Sequence, residues 1–345
     1  EGFSMNGNIE SSFKSNLADY MTTFIYIRSS ANIDVRHFHQ TFKEFDEHLI
    51  AINHNRGYVN KSDYDGWYEK ISQNAEVSTI YRKISSLRLL LTFICQQGNE
   101  CYIPRLPKRH QSSFIPYIFS QDEITTIFNV CDELSLQAKQ AKSCLVCIPA
   151  LIRLLYSTAI RIGEAVNIQM KDIDFNRHVI TLHNTKNKCQ RYALINTSLE
   201  NVLKQYIIYR DKLKLDKLRM PDSYLFVSSL GGKCKTDTIQ HWFEIIREKA
   251  GLQLSENRSR PRLHDLRHTA CVHSLEKMLA SGKDLYCILP ILSVFMGHKS
   301  IYSTESYLRL TMEFYSGIIE SDISTVSEVT KILYRSLNIK SDENI

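Results

Sequence analysis

Four short pieces of the sequence carry side chains whose types and spacing suit work on an anion. The first is Thr158-Ala159-Ile160-Arg161-Ile162-Gly163-Glu164. It sets an arginine in apolar surroundings, where a guanidinium is costly unless a carboxylate or an oxyanion answers it. Glu164, three residues on, falls on the same face of a helix and can hold it; alone the two make a structural ion pair. The second piece is Lys186, in the polar run Asn184-Thr185-Lys186-Asn187-Lys188. A lysine there is ordinarily solvated, and its interest depends on what it faces. The third is Arg260-Pro261-Arg262-Leu263-His264-Asp265-Leu266-Arg267-His268. Here His264 and Arg267 project from one helix face, and the arginine fork suits a phosphate. The fourth is Gly297-His298, with Tyr307 nine residues later on what reads as a short helix. A histidine after a helix-ending glycine can point into a cleft.

Metal chemistry fits these residues poorly. His264 and His268 are four apart, but Asp265 stands where a zinc-hydrolase helix carries glutamate, and no third ligand is apparent in the sequence. Cys144-x-x-Cys147 lies in an apolar stretch without a second pair to complete a site, and reads as buried packing. No metal and no cofactor are expected. The nine cysteines, an odd number without regular spacing, indicate free thiols in a reducing compartment.

These pieces need elements to position them. From about Ser11 to Cys101 the pattern is helical: Phe13, Leu17, Tyr20, Met21 and Phe24, then Phe38, Phe42, Phe45 and Leu49, recur at helical spacing. A third run, Ile80, Ile84, Leu87, Leu90, Leu91 and Ile94, carries Arg82, Lys83 and Arg88 and stops at Gly98. Those cations read as a solvated helix face. Residues 103–116 hold Pro104, Arg105, Pro107, Lys108 and Arg109, a stiff basic linker that could clamp a duplex or simply cross the surface. Beyond it, Ser120-Gln121-Asp122-Glu123 is a capping box opening a helix to about Leu134. Helical spacing resumes from Leu145 to Asn167. Val179–His183 and Tyr192–Ile195 then form a hairpin with Lys186 at its tip. Gly231-Gly232 is a turn, and helices return from Thr236. The tail, 312–345, has six acids against three bases and an apolar stripe from Ile323 to Leu337, suited to docking on its own domain or on a neighbouring subunit.

Composition sets the limits. The 345 residues, 43% hydrophobic and 23% charged, exclude a disordered chain, a fibre or a disulfide scaffold and favour two or three domains. The net charge of +6 permits a polyanion partner without arguing for one. No membrane span or signal peptide is visible, so a soluble, cytoplasmic protein is expected, and Met5 reads as a natural start behind a four-residue scar.

Taken together and in order, Arg161 with Glu164, Lys186 on a hairpin, His264-x-x-Arg267, Gly297-His298 and Tyr307 resemble the signature of the tyrosine recombinases, the phage and transposon integrases and their chromosome-resolving relatives. The resemblance covers roughly 117–311, and Ser78 to Arg88 is similar to the last long helix of that family's core-binding domain. One departure is that the usual Thr-Gly-Leu-Arg reads Thr158-Ala159-Ile160-Arg161 here.

The resemblance implies a multidomain α and α+β protein. An all-helical core-binding domain (11–102) would be followed by the linker (103–116), a mainly helical catalytic domain with a small antiparallel sheet (117–311) and the tail (312–345). It implies that Tyr307 attacks a DNA phosphate and forms a 3′-phosphotyrosine, without ATP or metal. Arg161, Arg267 and His298 would bind the phosphate, His264 would handle the tyrosine proton, Lys186 would protonate the leaving oxygen, and Glu164 would orient the cationic shell. Contacts to double-stranded DNA at paired recombination sites are expected from Arg82, Lys83, Arg88, Arg105, Lys108, Arg109, Lys235, Thr236, Thr238, Gln240 and His241, with a helix from Thr236 to Arg247 in the major groove. A homo-tetramer on synapsed DNA, monomeric or dimeric before it, is implied, with the tail helix docking in trans and the gene carried by a transposon or other mobile element in a bacterial-type cell. A type IB topoisomerase and a non-catalytic DNA-binding regulator on the same fold remain the alternatives.

Overall fold

The computed structural model describes residues 13–298, apart from 32, 74, 109–114, 137–143, 184–189, 214, 229 and 253–259 and the side chains of 285 and 286. Arg109, Lys186, Tyr307 and the stripe at 323–337 lie outside the described residues. The chain divides into two units, Glu1–Ser113 and Phe114–Ile345.

The first unit is helical: α1 (Ala18–Ser30), α2 (Arg36–Ala51), α3 (Lys61–Ser72) and α4 (Val77–Gln96). Its core follows the spacing of the apolar side chains. Phe38, Phe42, Phe45 and Leu49 line one stripe of α2 and are buried against Phe24, Trp67 and the Ile84, Leu87, Leu91 and Ile94 stripe of α4. Edge-to-face ring pairs lock the corner, with Phe24 5.4 Å from Phe38 and 5.5 Å from Phe42. A reciprocal cap starts α3: the Asn60 side chain accepts from the Asp63 amide and Asp63 accepts from the Asn60 amide. Gly98, at φ 93°, turns the chain after α4.

The second unit packs helices around a three-stranded sheet. Its elements are α5 (Gln121–Leu136), a 3₁₀ turn (Cys144–Cys147), α6 (Ile148–Thr158), the single turn α7 (Ile162–Ala165), β1 (Ile173–Asp174), β2 (Val179–Leu182), β3 (Arg191–Leu194), α8 (Thr197–Asp211), α9 (Thr236–Lys249), α10 (Asp265–Ala280) and α11 (Leu285–Met296). The Ser120–Glu123 capping box forms as the sequence predicts. The strands run antiparallel in the order β1-β2-β3, with Ile180 opposite Ala193 and Leu182 opposite Arg191. Ile180, Leu182, Ala193 and Ile195 face the main core with Leu151, Leu154, Leu203 and Phe243, while Tyr192 and Leu194 are exposed. A smaller core joins Ala159 to Ala270, Val272 and Leu275 of α10 and Ile288, Leu292 and Met296 of α11. Among the described residues, no helix is long and apolar enough to cross a membrane.

One element departs from the sequence reading. The helix expected from Leu145 to Asn167 is broken: α6 ends at Thr158, Ala159 adopts a left-handed conformation (φ 52°, ψ 22°), and Arg161 is extended (φ −76°, ψ 148°) ahead of α7. Arg161 and Glu164 therefore do not meet as neighbours on a continuous helix. Glu164 closes the start of α7 by accepting from the Arg161 amide at 2.9 Å. The Cys144–Cys147 pair packs on a 3₁₀ turn, where the Cys147 sulfur lies 3.8 Å from that of Cys234.

Candidate active site

The break at Ala159 builds the site. By ending α6 in a left-handed residue, the chain turns Arg161 out of the apolar helix while Ala159 itself stays in the small core. Arg161 keeps 25% of its side-chain surface exposed and donates from Nη1 to Glu164 Oε1 at 3.1 Å. The Glu164 carboxylate is buried and also accepts from Arg191 Nη2 on β3 at 2.8 Å. Burial pushes the Glu164 carboxyl up, but the Arg161 amide and the guanidiniums of Arg191 and Arg161 outweigh it and hold it below the ordinary range.

Arg267 joins two distant loops. It lies in the first turn of α10, buried, and donates to the Ala159 carbonyl through Nη1 and to the Met296 carbonyl through Nη2 at 2.5 Å. One acceptor stands two residues before Arg161 and the other two residues before His298. The start of α10 is fixed in turn by Asp265, fully buried, which accepts from the Arg262 amide at 2.7 Å and from Arg262 Nη2 at 3.0 Å. His264 sits at the N-terminal boundary of α10, exposed, with its ring edge-on to His268 at 4.9 Å.

Gly297, at φ 62°, follows α11 and delivers His298 beside these cations. Burial first, then the charges of Arg267, Arg161 and Arg191, push the His298 imidazole down to about 4. His268 is pushed to about 3 by burial and by His264, Arg262, Arg267 and His298. Both rings are therefore neutral near pH 7. Three guanidiniums and one carboxylate share this neighbourhood, an excess of positive charge in partly desolvated surroundings that suits a phosphate. Among the described residues, no cluster of three or more His, Cys, Asp or Glu is placed to hold a metal ion.

Residues 118–313 match the model of the phage integrase family. The chain belongs to that family. This integrase is 30% identical over 260 residues to tyrosine recombinase XerC of Anoxybacillus flavithermus, covering 74% of this chain and 79% of that one. It is also 30% identical over 206 residues to the putative integrase/recombinase y4rB of Sinorhizobium fredii, covering 60% of this chain and spanning 64% of that relative's length. Among solved structures, XerH recombinase bound to palindromic difH in a post-cleavage complex superposes with a TM-score of 0.61 at 17% identity, covering 83% of this chain and 79% of that one. The Tn1549 transposon integrase in complex with transposon right end DNA gives 0.58 at 18% identity, covering 88% and 100%. The integrase is thus a tyrosine-type recombinase by family, and its mostly helical fold with one small antiparallel sheet is the family fold.

Of the residues singled out in the sequence, Arg161, Glu164, Arg267 and His298 come together, with His264 at the edge of the group. Arg191 stands outside the sequence motifs. Its signal is its place in the strand, since it shares the inward face with Ala193 and Ile195, where a cation is out of keeping. Of the candidate DNA contacts, Lys235, Thr238, Gln240 and His241 are exposed along the start of α9, and the Thr236 hydroxyl bonds the neighbouring Asp237. In the first unit Arg82, Arg105 and Lys108 are exposed. Lys83 pairs with Glu44 at 2.5 Å, and Arg88 donates to the Pro104 carbonyl at 2.6 Å.

Proposed function

We propose that this integrase cuts and rejoins DNA at specific paired sites through a covalent phosphotyrosine, with Tyr307 as nucleophile, in the service of a mobile element. The observation that carries the reading is the niche of Arg161, Arg267 and the neutral His298, with Glu164 and Arg191 packed behind Arg161. A phosphodiester resists attack because its own charge repels nucleophiles, and fixed guanidiniums answer the charge that grows on its oxygens. Tyr307 Oη attacks phosphorus, the bond to the 5′-oxygen breaks, and the strand is left with a 3′-phosphotyrosine and a 5′-hydroxyl. His264 takes the tyrosine proton and Lys186 supplies one to the leaving oxygen. The phosphotyrosine keeps the bond energy for rejoining to a new strand. Duplex DNA is held by the exposed residues of α9, by Arg82 and by the 103–116 linker. The partner is a second copy of the chain, up to a tetramer on paired sites, in the cytoplasm of a bacterial-type cell.

The test is covalent trapping on a nicked substrate carrying the cognate site, which prevents rejoining. The wild type accumulates a protein–DNA adduct, and Tyr307→Phe accumulates none. An adduct that survives in Tyr307→Phe overturns the choice of nucleophile. Absence of any adduct with the wild type leaves the DNA-binding regulator as the correct account, and relaxation of supercoiled plasmid without strand exchange assigns a topoisomerase.

A further inference from the structure

Arg191 is an inward-facing arginine with only 13% of its side chain exposed. It is not one of the phosphate-binding residues that the motifs supply, and it is costly to bury: its Nε atom has no hydrogen-bond partner among the described residues. Its two terminal nitrogens are each committed to a separate part of the site. Nη2 donates to Glu164 Oε2 at 2.8 Å, and through that carboxylate reaches Arg161. Nη1 donates to the Phe295 carbonyl at 3.0 Å, in the last turn of α11, three residues before His298. The side chain also fills the space beside Gly297. A Cβ on residue 297 would lie 2.5 Å from Arg191 Nε and 2.8 Å from its Cδ. Tethered at both ends of its guanidinium, this side chain cannot swing away without releasing Glu164 or Phe295.

The location on β3 adds a third connection. Arg191 pairs with Leu182 in the last register position of the β2–β3 hairpin. One side chain thus ties the hairpin to the α7 turn and to the turn after α11.

We infer that Arg191 is a positioning residue that sets the Arg161 guanidinium, through Glu164, and the His298 imidazole, through the Phe295–Gly297 turn, in one fixed relation to a bound phosphate. Gly297 is glycine for two reasons: its left-handed backbone, and the guanidinium that occupies the volume a side chain would need. The inference rests on the function proposed above, but it concerns the coupling between parts of the site, so it has a readout that does not depend on cleavage.

Two measurements test it. The first is single-turnover cleavage of the nicked substrate by Arg191→Ala, Arg191→Lys, Gly297→Ala and the double variant Arg191→Ala/Gly297→Ala, with DNA affinity measured in parallel. Arg191→Ala is expected to slow cleavage by roughly a hundredfold while the Kd for DNA changes by less than about threefold. Arg191→Lys, which keeps the charge beside Glu164 but cannot reach both acceptors, recovers part of the rate. Gly297→Ala slows cleavage on its own, yet costs less once Arg191 is alanine, because the clash has gone and only the left-handed backbone strain remains. The second measurement follows the His298 imidazole by NMR titration, assigned with His298→Gln. Loss of the neighbouring charge in Arg191→Ala raises its apparent pKa, whereas Arg191→Lys, which keeps a cation there, changes its chemical shift through the altered turn and leaves the pKa closer to wild type. Full cleavage activity in Arg191→Ala, multiplicative effects of the two alanine substitutions, or an unmoved His298 titration each overturns the inference. Should Arg191→Ala fail to fold, Arg191→Lys and Gly297→Ala carry both measurements. A wild type that forms no adduct counts against the proposed function alone, since the His298 titration still decides the coupling.

Discussion

Replacing Glu164 by glutamine removes one charge and changes no volume, so its effect isolates the electrostatics of the site. The carboxylate accepts three hydrogen bonds: from the Arg161 amide at 2.9 Å, Arg161 Nη1 at 3.1 Å and Arg191 Nη2 at 2.8 Å. Both bonds at Oε2 survive if the amide oxygen takes that position. The amide NH₂ then replaces Oε1 and faces the Arg161 guanidinium, donor against donor. Breaking a buried pair by removing one partner costs about 3–5 kcal/mol. Arg161 retains 25% exposure, so water recovers part of that loss, and about 2–3 kcal/mol is expected. For a unit of this size that is a fall in Tm of roughly 5–10 °C in the transition of the second unit. The assay is calorimetric or circular-dichroism melting of the full chain at pH 7.5, with urea unfolding to check that the m-value is unchanged. Glu164→Asp, which keeps the charge on a shorter stem, should fall between the two. A glutamine variant that melts within about 1 °C of wild type would show that the two guanidiniums do not need the carboxylate, and would refute Glu164 as the charge that holds them.

Two further predictions follow from the same geometry. His268 and His298 sit at about 3 and about 4 against an ordinary 6.5, so the folded chain binds fewer protons than the unfolded one as pH falls. The stability this represents is fully present above pH 6.5 and is lost as pH drops toward those values, by about 2 kcal/mol at pH 5 for His268 and by less for His298, which water screens. His48 and His273, also lowered by burial, act in the same direction. Urea unfolding from pH 7.5 to 5 should show the slope, and His268→Gln should flatten it; a pH-independent midpoint contradicts the assignment. At Ala159 (φ 52°), substitution by glycine should leave stability unchanged or raise it by up to about 1 kcal/mol, because relief of the left-handed strain offsets the added chain entropy and the lost methyl. Denaturant melts would count against this if Ala159→Gly lost about 1 kcal/mol or more, the usual result in a helix interior.

The sequence made some of this legible and hid the rest for physical reasons. The stripe Phe38, Phe42, Phe45, Leu49 and the capping box Ser120–Glu123 act through neighbours in the chain, so spacing alone reveals them. The alternation in β2 and β3 placed the hairpin to within a residue. β1, two residues long, has no room for a pattern. The break at Ala159 escaped because no glycine or proline marks it and the apolar spacing continues through Ile160 and Ile162. The partner that meets the freed Ala159 carbonyl, Arg267, lies 108 residues away, where local spacing cannot reveal it. Lys83 looked like a solvated cation because Glu44, its partner, lies 39 residues back. Arg191 was obscured by its neighbours, since beside a polar hairpin tip a cation looks ordinary until strand register places it inside.

The two carbonyls held by Arg267 belong to residues 159 and 296, and the chain between them contains the sheet, α8, α9 and α10. A site strung across that much sequence is assembled late, because loop closure must come before the contacts that reward it. During synthesis, a chain that has emerged through Arg161 and the hairpin has its first arginine but lacks the tether that orients it. On the function proposed above, the phosphate niche is completed only when the turn at Gly297 leaves the ribosome, and the nucleophile Tyr307 follows ten residues later. A nuclease-like activity in an unfinished protein would be a hazard to the genome that encodes it, and on the proposed function the order of residues along the chain delays that activity until synthesis is nearly done.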